Sequence, residues 1–414
     1  CKVPRWDLEK FSGADLRIGT EMKSVGEVMA IGRSFGEALQ KALRMLEVGA
    51  DGFDSNQLAL ATRAQVLAEI SPPSSRRIFA LARAFAMGFT VEELAQATAI
   101  DRFFLHELHE LHLLRQELRE QRIETLDAEL LRRCKQAGFA DRTIAAACQT
   151  TVEAVRERRH ALQILPKLRQ IDTLAAEYPA QTNYLYLTYH ADAHDVRPAE
   201  KKKLLLLGSG CYRIGSSVEF DWSCVGAAQA ARQLGYEVAL LNCNPETVST
   251  DYDLCDRLIF DEVSLETVRE LWDFELGAGG GFVGVLLAMG GQTPNRLALP
   301  LHLQRGRRPK QASLSGCLHA CRCLRHAEHA RQVDVDHMAP VVFRHVHARR
   351  ACHSAGIVDD DGRHAQIGRG LRKGITHAVG ISHVGRIGAD VGGDAQLFFV
   401  AQRAARRRRQ AVFA

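Results

Sequence analysis

Long apolar runs are missing from this chain of 414 residues: no stretch approaches the roughly 18 to 20 uninterrupted apolar residues that a helix needs to cross a bilayer. A membrane-spanning helix is not expected, and the first residues show no basic-then-apolar signal pattern. Aromatic residues are few, with 7 Tyr and 3 Trp, and the 11 cysteines fall at no paired spacing. Free buried thiols are therefore expected rather than a disulfide framework. A hydrophobic content of 46% with 25% charged residues argues against a fibrous or wholly disordered chain, and the length admits several domains. The expectation is a soluble cytoplasmic protein, with a mitochondrial address left open. The chain opens on Cys1 rather than Met, inside what reads as strand and turn, so an N-terminal part is expected to be missing.

Charge is distributed unevenly. From Leu303 onward there are 20 Lys+Arg against 8 Asp+Glu, leaving 34 against 41 in the first 302 residues, so a mildly acidic body carries a basic tail. That tail has no Tyr or Trp, 18 Arg to 2 Lys, and 10 of the 17 His, with no sustained period. Such a composition is what GC-rich DNA yields when read out of frame or through an unspliced intron; a genuine basic, disordered tail is the alternative.

The body has three textures. Residues 1–50 hold a strand-like piece around Gly26 to Met29 and an amphipathic helix from Ser34 to Glu47, with Ala38, Leu39, Ala42, Leu43 and Leu46 on one stripe. Alone this piece is too short to fold, so it reads as the end of a domain. Residues 51–195 carry helical periodicity almost throughout. Thr90 and Glu93 form a capping-box match, and Met87-Gly88-Phe89 and Ala137-Gly138-Phe139 each open a helix-turn-helix outline. In residues 196–302 strand and helix alternate, with strands at Leu204 to Leu207, Glu237 to Leu241, Arg257 to Phe260 and Val283 to Ala288 and helices from Cys224 and after Ser264. This predicts a parallel sheet, with a surface turn at Gly277 to Gly281.

A glycine-rich turn, Gly208-Ser209-Gly210-Cys211-Tyr212-Arg213-Ile214-Gly215-Ser216-Ser217, follows the first of these strands. Backbone N–H groups in such a turn can approach a phosphate, but Ser216 stands where a Walker loop needs Lys, and Arg213 where the dinucleotide pattern needs glycine. Spacing leaves nucleotide binding and a structural turn both open. The helical stretch His106-Glu107-Leu108-His109-Glu110-Leu111-His112 misses the four-residue His spacing of helical zinc proteases and reads as a solvated face. Cys317, Cys321, Cys323, His326 and His329 fit no zinc-finger spacing well. No metal site and no catalytic residue is assigned in this chain.

The run from Gly208 through Glu219-Phe220-Asp221-Trp222, followed by Asn242-Cys243-Asn244-Pro245-Glu246-Thr247 and Gly290-Gly291-Gln292-Thr293-Pro294, resembles the opening of the second half of the carbamoyl phosphate synthetase large subunit. Pro4-Arg5-Trp6-Asp7-Leu8 and Met22-Lys23-Ser24-Val25-Gly26-Glu27-Val28-Met29-Ala30-Ile31-Gly32 resemble the end of its first half, and Ile171-Asp172-Thr173 with Thr182-Asn183-Tyr184-Leu185-Tyr186 the end of its helical oligomerisation domain. The wording resembles eukaryotic members more than bacterial ones. The resemblance implies a multidomain α/β plus all-α chain: a stub of the first ATP-grasp half (1–50), the helical oligomerisation domain (51–195), the α/β pre-ATP-grasp subdomain of the second half (196–302), and the tail (303–414).

It further implies a ligase that uses bicarbonate, ammonia from a glutaminase subunit or domain, two ATP, and Mg2+ or Mn2+. The groups that bind ATP and metal are expected outside this chain, which would itself be inactive, an oligomer through its helices, and part of arginine or pyrimidine synthesis. Glu219 and Glu246 are expected in the wall of the passage that carries the intermediate between halves, with Arg213, Ser217, Asp221 and Asn244 beside them; bracing of the turns is the bland alternative. Gly208, Gly210, Gly215, Gly290 and Gly291 are expected as structural turns. The rival reading is a helix-turn-helix nucleic-acid-binding protein using the basic tail, which 17 Lys+Arg against 20 Asp+Glu in residues 51–195 argue against.

Overall fold

The structure, a computed structural model, describes residues 1–54, 58–198, 201–277 and 281–305. The Cys317 to His329 group and nearly all of the basic tail lie outside the described residues, as does the middle of the Gly277 to Gly281 turn.

Strands β1 (Lys2–Arg5) and β2 (Gly26–Met29) pair antiparallel, and helix α1 (Phe35–Met45) follows. Ser34 caps α1 by accepting from the Glu37 N–H, and Ala42 and Leu43 are almost wholly buried, as the apolar stripe requires.

Seven helices come next: α2 (Arg63–Ile70), α3 (Arg77–Ala86), α4 (Val91–Thr98), α5 (Arg102–Arg119), α6 (Ala128–Gln136), α7 (Asp141–Ala147) and α8 (Val152–Ala161). The Thr90 and Glu93 capping box opens α4 as expected. Leu105, Leu108, Leu111, Leu114 and Leu118 form the buried stripe of α5. The histidines on that helix differ from the expected solvated face: His106 is exposed, but His109 and His112 are half-buried, their rings 5.1 and 6.1 Å from that of Phe85. Burial lowers the His112 pKa, consistent with a neutral packing role.

Helical character ends sooner than periodicity indicates. β3 (Lys167–Gln170) and β4 (Tyr184–Thr188) are strands, joined antiparallel to one another and by β4 to the sheet beyond. Their Leu and Tyr content suits a half-buried pleated surface better than a helix, and the partner strand that selects it is distant in sequence. The sheet continues with β5 (Lys203–Leu207), β6 (Glu237–Asn242), β7 (Arg257–Phe260) and β8 (Phe282–Leu286), in the order β3-β4-β7-β6-β5-β8, all parallel except β3. Alternation along β5 divides the core. Leu205 and Leu207 pack with α10 (Leu265–Leu276) and the start of α12 (Ala298–Arg305), while Leu204 and Leu206 face the alanine-rich side of α9 (Val218–Gln233). α9 begins six residues before the helix start read from sequence, because the charged turn Glu219-Phe220-Asp221 is helical. A short α11 (Gln292–Asn295) lies between β8 and α12.

The helices and the sheet meet through buried charges. The acids Glu262, Glu266, Glu270 and Asp273, at near-helical intervals, face bases from α1, α6 and α8. Arg44 bonds Glu262 at 2.7 Å, Lys135 bonds Glu266 at 2.6 Å, and Arg159 bonds Glu270 at 2.6 Å and Asp141 at 3.0 Å. Arg156 pairs with Asp273, and Lys41 reaches Asp261 at 3.0 Å. Arg159 is wholly buried and Asp141 is 1% exposed, so the centre of the contact is a buried ion network whose members depend on their partners, while Glu266 and Asp273 at its border stay partly exposed.

Candidate functional site

Parallel strands direct their C-terminal ends to one edge of the sheet, where open α/β sheets place ligands. Three quoted motifs meet there: the turn after β5, the Asn-Cys-Asn-Pro-Glu segment after β6, and the Gly-Gly-Gln-Thr segment after β8. Their closeness needs missing side chains. A Cβ on Gly208 would lie 2.5 Å from Asn242 Cγ, and one on Gly290 2.4 Å from the Gly208 carbonyl oxygen. Gly210, Gly215 and Gly291 have positive φ and make the bends expected of them. Asn242, buried between the turns, accepts from the Gly210 N–H at 3.1 Å and the Cys243 N–H at 2.9 Å.

The named side chains divide into two groups. Asp221 is buried and accepts from the Val248 N–H at 2.9 Å and the Ser249 N–H at 3.3 Å, tying α9 to the segment after β6. Burial raises its pKa, against the pull of those hydrogen bonds. Asn244 is also buried and accepts from the Glu246 N–H at 3.1 Å. Both side chains brace. Glu219 and Glu246 are instead exposed at the edge. Glu219 accepts from the Ser217 N–H at 3.2 Å, which is the bond found for Ser217. Lys2 holds Glu246 at 2.7 Å and Glu27 at 3.0 Å, and these contacts lower the Glu246 pKa. Arg213 pairs with Glu47 and donates to Thr293 Oγ1 at 3.3 Å.

Sequence reading missed the pieces supplied by residues 1–47. Glu27 sits inside a quoted motif but gained meaning only beside Glu246. Asp7 accepts from the Ile214 N–H at 3.1 Å, and Gly26 lies flat against the Tyr212 carbonyl, where a Cβ would come within 2.2 Å of the oxygen. Burial would raise the Asp7 pKa, but hydrogen bonds from Lys10, Arg5 and Ile214 outweigh it and hold the carboxyl below its usual range. The Met29 N–H donates to the Cys243 carbonyl at 2.8 Å. A cavity of ≈ 400 Å³ borders this cluster, lined by Glu47, Gly210, Cys243, Thr293 and Arg296 among others.

The arrangement contains no nucleophile poised for reaction. Burial pushes the Cys211 thiol up to about 12 and raises that of Cys243, so neither is a thiolate at neutral pH. Among the described residues no group of three or more His, Cys, Asp or Glu converges to hold a metal ion. No described helix is long and apolar enough to cross a membrane. What the edge offers is a set of carboxylates and backbone polar groups at its surface; the cavity beside it runs back toward the helical interface, where Arg44, Asp141, Arg142, Glu262 and Glu266 also line it.

A parallel sheet with its glycine turns gathered at the C-terminal edge, preceded by a helical domain, defines a multidomain chain of all-α and α/β parts. Two family models match: "Carbamoyl-phosphate synthetase large chain, oligomerisation domain" over residues 27–163, and "Carbamoyl phosphate synthase preATP-grasp domain" over residues 200–320. The chain is 48% identical over 308 residues to multifunctional protein CAD of Squalus acanthias, covering 74% of this chain and 13% of that protein. Against the mitochondrial carbamoyl-phosphate synthase [ammonia] of Homo sapiens the identity is 44% over 304 residues, 73% of this chain and 20% of that one. Against the carbamoyl phosphate synthase large chain of Ralstonia nicotianae it is 47% over 302 residues, 72% and 27%. The chain belongs to the carbamoyl phosphate synthetase large-chain family, and it spans 13% to 27% of the length of these relatives. The nucleic-acid reading finds no support in these matches.

Proposed function

We propose that this chain is the junction segment of a synthetase that makes carbamoyl phosphate from bicarbonate, glutamine-derived ammonia and two ATP, and that its sheet edge forms part of the wall through which the intermediate passes between halves. The supporting observation is that residues 1–47 close over the glycine turn of the following α/β unit, so that Glu27, Glu219 and Glu246 stand on one edge although they come from three separate segments. Carbamate decomposes in water, which gives an enclosed route its purpose. Exposed carboxylates and backbone N–H groups can bond its amide and carboxylate in turn.

The domain limits of 1–50, 51–195, 196–302 and 303–414 are part of this reading. So are an oligomer formed through the helices, a glutaminase partner, and work in the cytoplasm or mitochondrion for arginine or pyrimidine synthesis. In this reading ATP and Mg2+ or Mn2+ are held by other parts of the longer synthetase.

The test has two arms. Purified alone, this chain should form no carbamoyl phosphate from ATP, bicarbonate and ammonia, and measurable turnover would refute the reading. In the full-length synthetase, Glu219→Ala and Glu246→Ala should raise the ATP hydrolysed per carbamoyl phosphate severalfold, because intermediate is lost on the way. An unchanged ratio in both variants removes the two carboxylates from the passage.

A further inference from the structure

Three neighbouring residues of the glycine turn are each held by a different part of residues 1–47. Tyr212 is covered by the side-chain-free face of Gly26, Arg213 pairs with Glu47 at the end of α1, and Ile214 donates its N–H to Asp7 at 3.1 Å. Both carboxylates are carried on unusual backbone. Asp7 has φ of 23° and Glu47 φ of 52°, in a region that residues other than glycine seldom adopt. Strain of this kind persists where surrounding contacts over-determine it, and it concentrates at switch regions and clamps.

Asp7 is also anchored on its own side, accepting from Arg5 Nε at 2.8 Å and Lys10 Nζ at 2.9 Å, while Glu47 lies 3.5 Å from a second base of the α/β unit, Arg296. Arg5 reaches further, donating to the Leu46 carbonyl, so the Asp7 and Glu47 segments are joined to each other as well as to the turn.

The turn transmits the hold forward. Arg213 and Ser216 exchange N–H to carbonyl bonds at 3.1 and 3.0 Å, closing a small loop that ends where Ser217 and Glu219 begin. A shift at Arg213 or Ile214 therefore moves Glu219.

We infer that Asp7 and Glu47 are positioning residues: a two-carboxylate clamp by which the end of the first half sets the glycine turn of the second and keeps Glu219 in register with Glu27 and Glu246. The clamp touches no reacting atom. It rests on the passage reading above, and its effect is on coupling rather than on either half's own chemistry.

In the full-length synthetase, Asp7→Asn and Glu47→Gln should each raise the ATP hydrolysed per carbamoyl phosphate at least threefold. The bicarbonate-dependent ATP hydrolysis of the first half, and ATP formation from carbamoyl phosphate and ADP by the second, should stay within twofold of the parent. An unchanged ratio, or both partial reactions falling together, overturns the clamp. Glu219→Ala and Glu246→Ala, measured alongside, separate the two ideas: if either uncouples and the clamp variants do not, only the clamp fails; if both leave coupling intact, the passage reading fails.

Should the long variants fold poorly, amide exchange in the present chain decides. With either substitution, exchange at residues 212–217 should quicken at least tenfold while β5 and β6 keep their protection. Equal protection of the turn in variant and parent, or loss of protection throughout, counts against a local clamp.

Discussion

Residues 1–47 and the helical domain meet the sheet in two places, and the two contacts are built on opposite principles. At the α10 interface long charged side chains are buried and paired, Lys135, Arg159 and Arg44 against Asp141, Glu266, Glu270 and Glu262. At the sheet edge the approach is made by backbone, with Gly26 against Tyr212 and the Met29 N–H on the Cys243 carbonyl, and the carboxylates of Asp7 and Glu47 complete it. Buried ion pairs fix orientation at a high desolvation cost and fail when one partner is lost. Backbone contact fixes distance and fails when any side chain is added. In this chain the first device fixes angle and the second separation.

The largest separation between the two should come from Arg159→Met. Arg159 is wholly buried and answers both Asp141 and Glu270, so its loss leaves two carboxylates without their guanidinium. Removing one partner of a buried pair costs about 3 to 5 kcal/mol. The expected outcome is a urea midpoint lowered accordingly in one cooperative transition; a change under about 1 kcal/mol would mean that the network is solvated.

Acid probes the same contact without mutation. Burial opposes ionisation of Glu270, but the closeness of His160, the hydrogen bond from Arg159 and the nearby Arg charges prevail and hold its pKa at about 2, below the ordinary 4.5. In the unfolded chain the group takes its proton near 4.5, while in the fold it stays ionised. Its contribution is therefore complete above pH 4.5, declines as pH falls, and is gone below about 2. The sum is on the order of 3 kcal/mol. Glu270→Gln should flatten the fall of stability between pH 4.5 and 2, measured by denaturant midpoints at each pH; an identical slope in the variant would place the acid sensitivity elsewhere.

These two contacts were unequally legible in the sequence. The glycine turn, the Asn-Cys-Asn-Pro-Glu segment and the strands β5 to β8 could be read directly, because local turn chemistry and apolar runs encode them. The resemblance then put the three textures in order. Glu266 and Glu270 looked like the wet side of an ordinary amphipathic helix, since a charge pattern is the same whether water or a base from more than a hundred residues away faces it. β3 and β4 were hidden for a similar reason: a lone strand is chosen by its neighbours. Asp7 lay inside the quoted run from Pro4 to Leu8 and Glu47 at the end of the helix read from Ser34, but neither residue type marks the distant turn that its carboxylate holds.

The smallest expected effect sharpens the comparison most, because it changes one methyl group and no charge. A Cβ at Gly26 would lie 2.2 Å from the Tyr212 carbonyl oxygen and 2.8 Å from its carbonyl carbon, both backbone atoms that cannot rotate aside. Gly26→Ala must therefore separate β2 from the turn, at a cost of about 1 to 3 kcal/mol for overpacking. Gly235 is the control, with φ of 83° and nothing within 4 Å of its would-be Cβ, so Gly235→Ala meets backbone strain alone. Both variants should lose stability in denaturant. Only Gly26→Ala should also quicken amide exchange at Tyr212 to Ile214, while the α10 interface keeps its protection. If the two alanines prove alike in exchange, the edge is held by something other than backbone contact, and distance as well as angle would fall to the ion network.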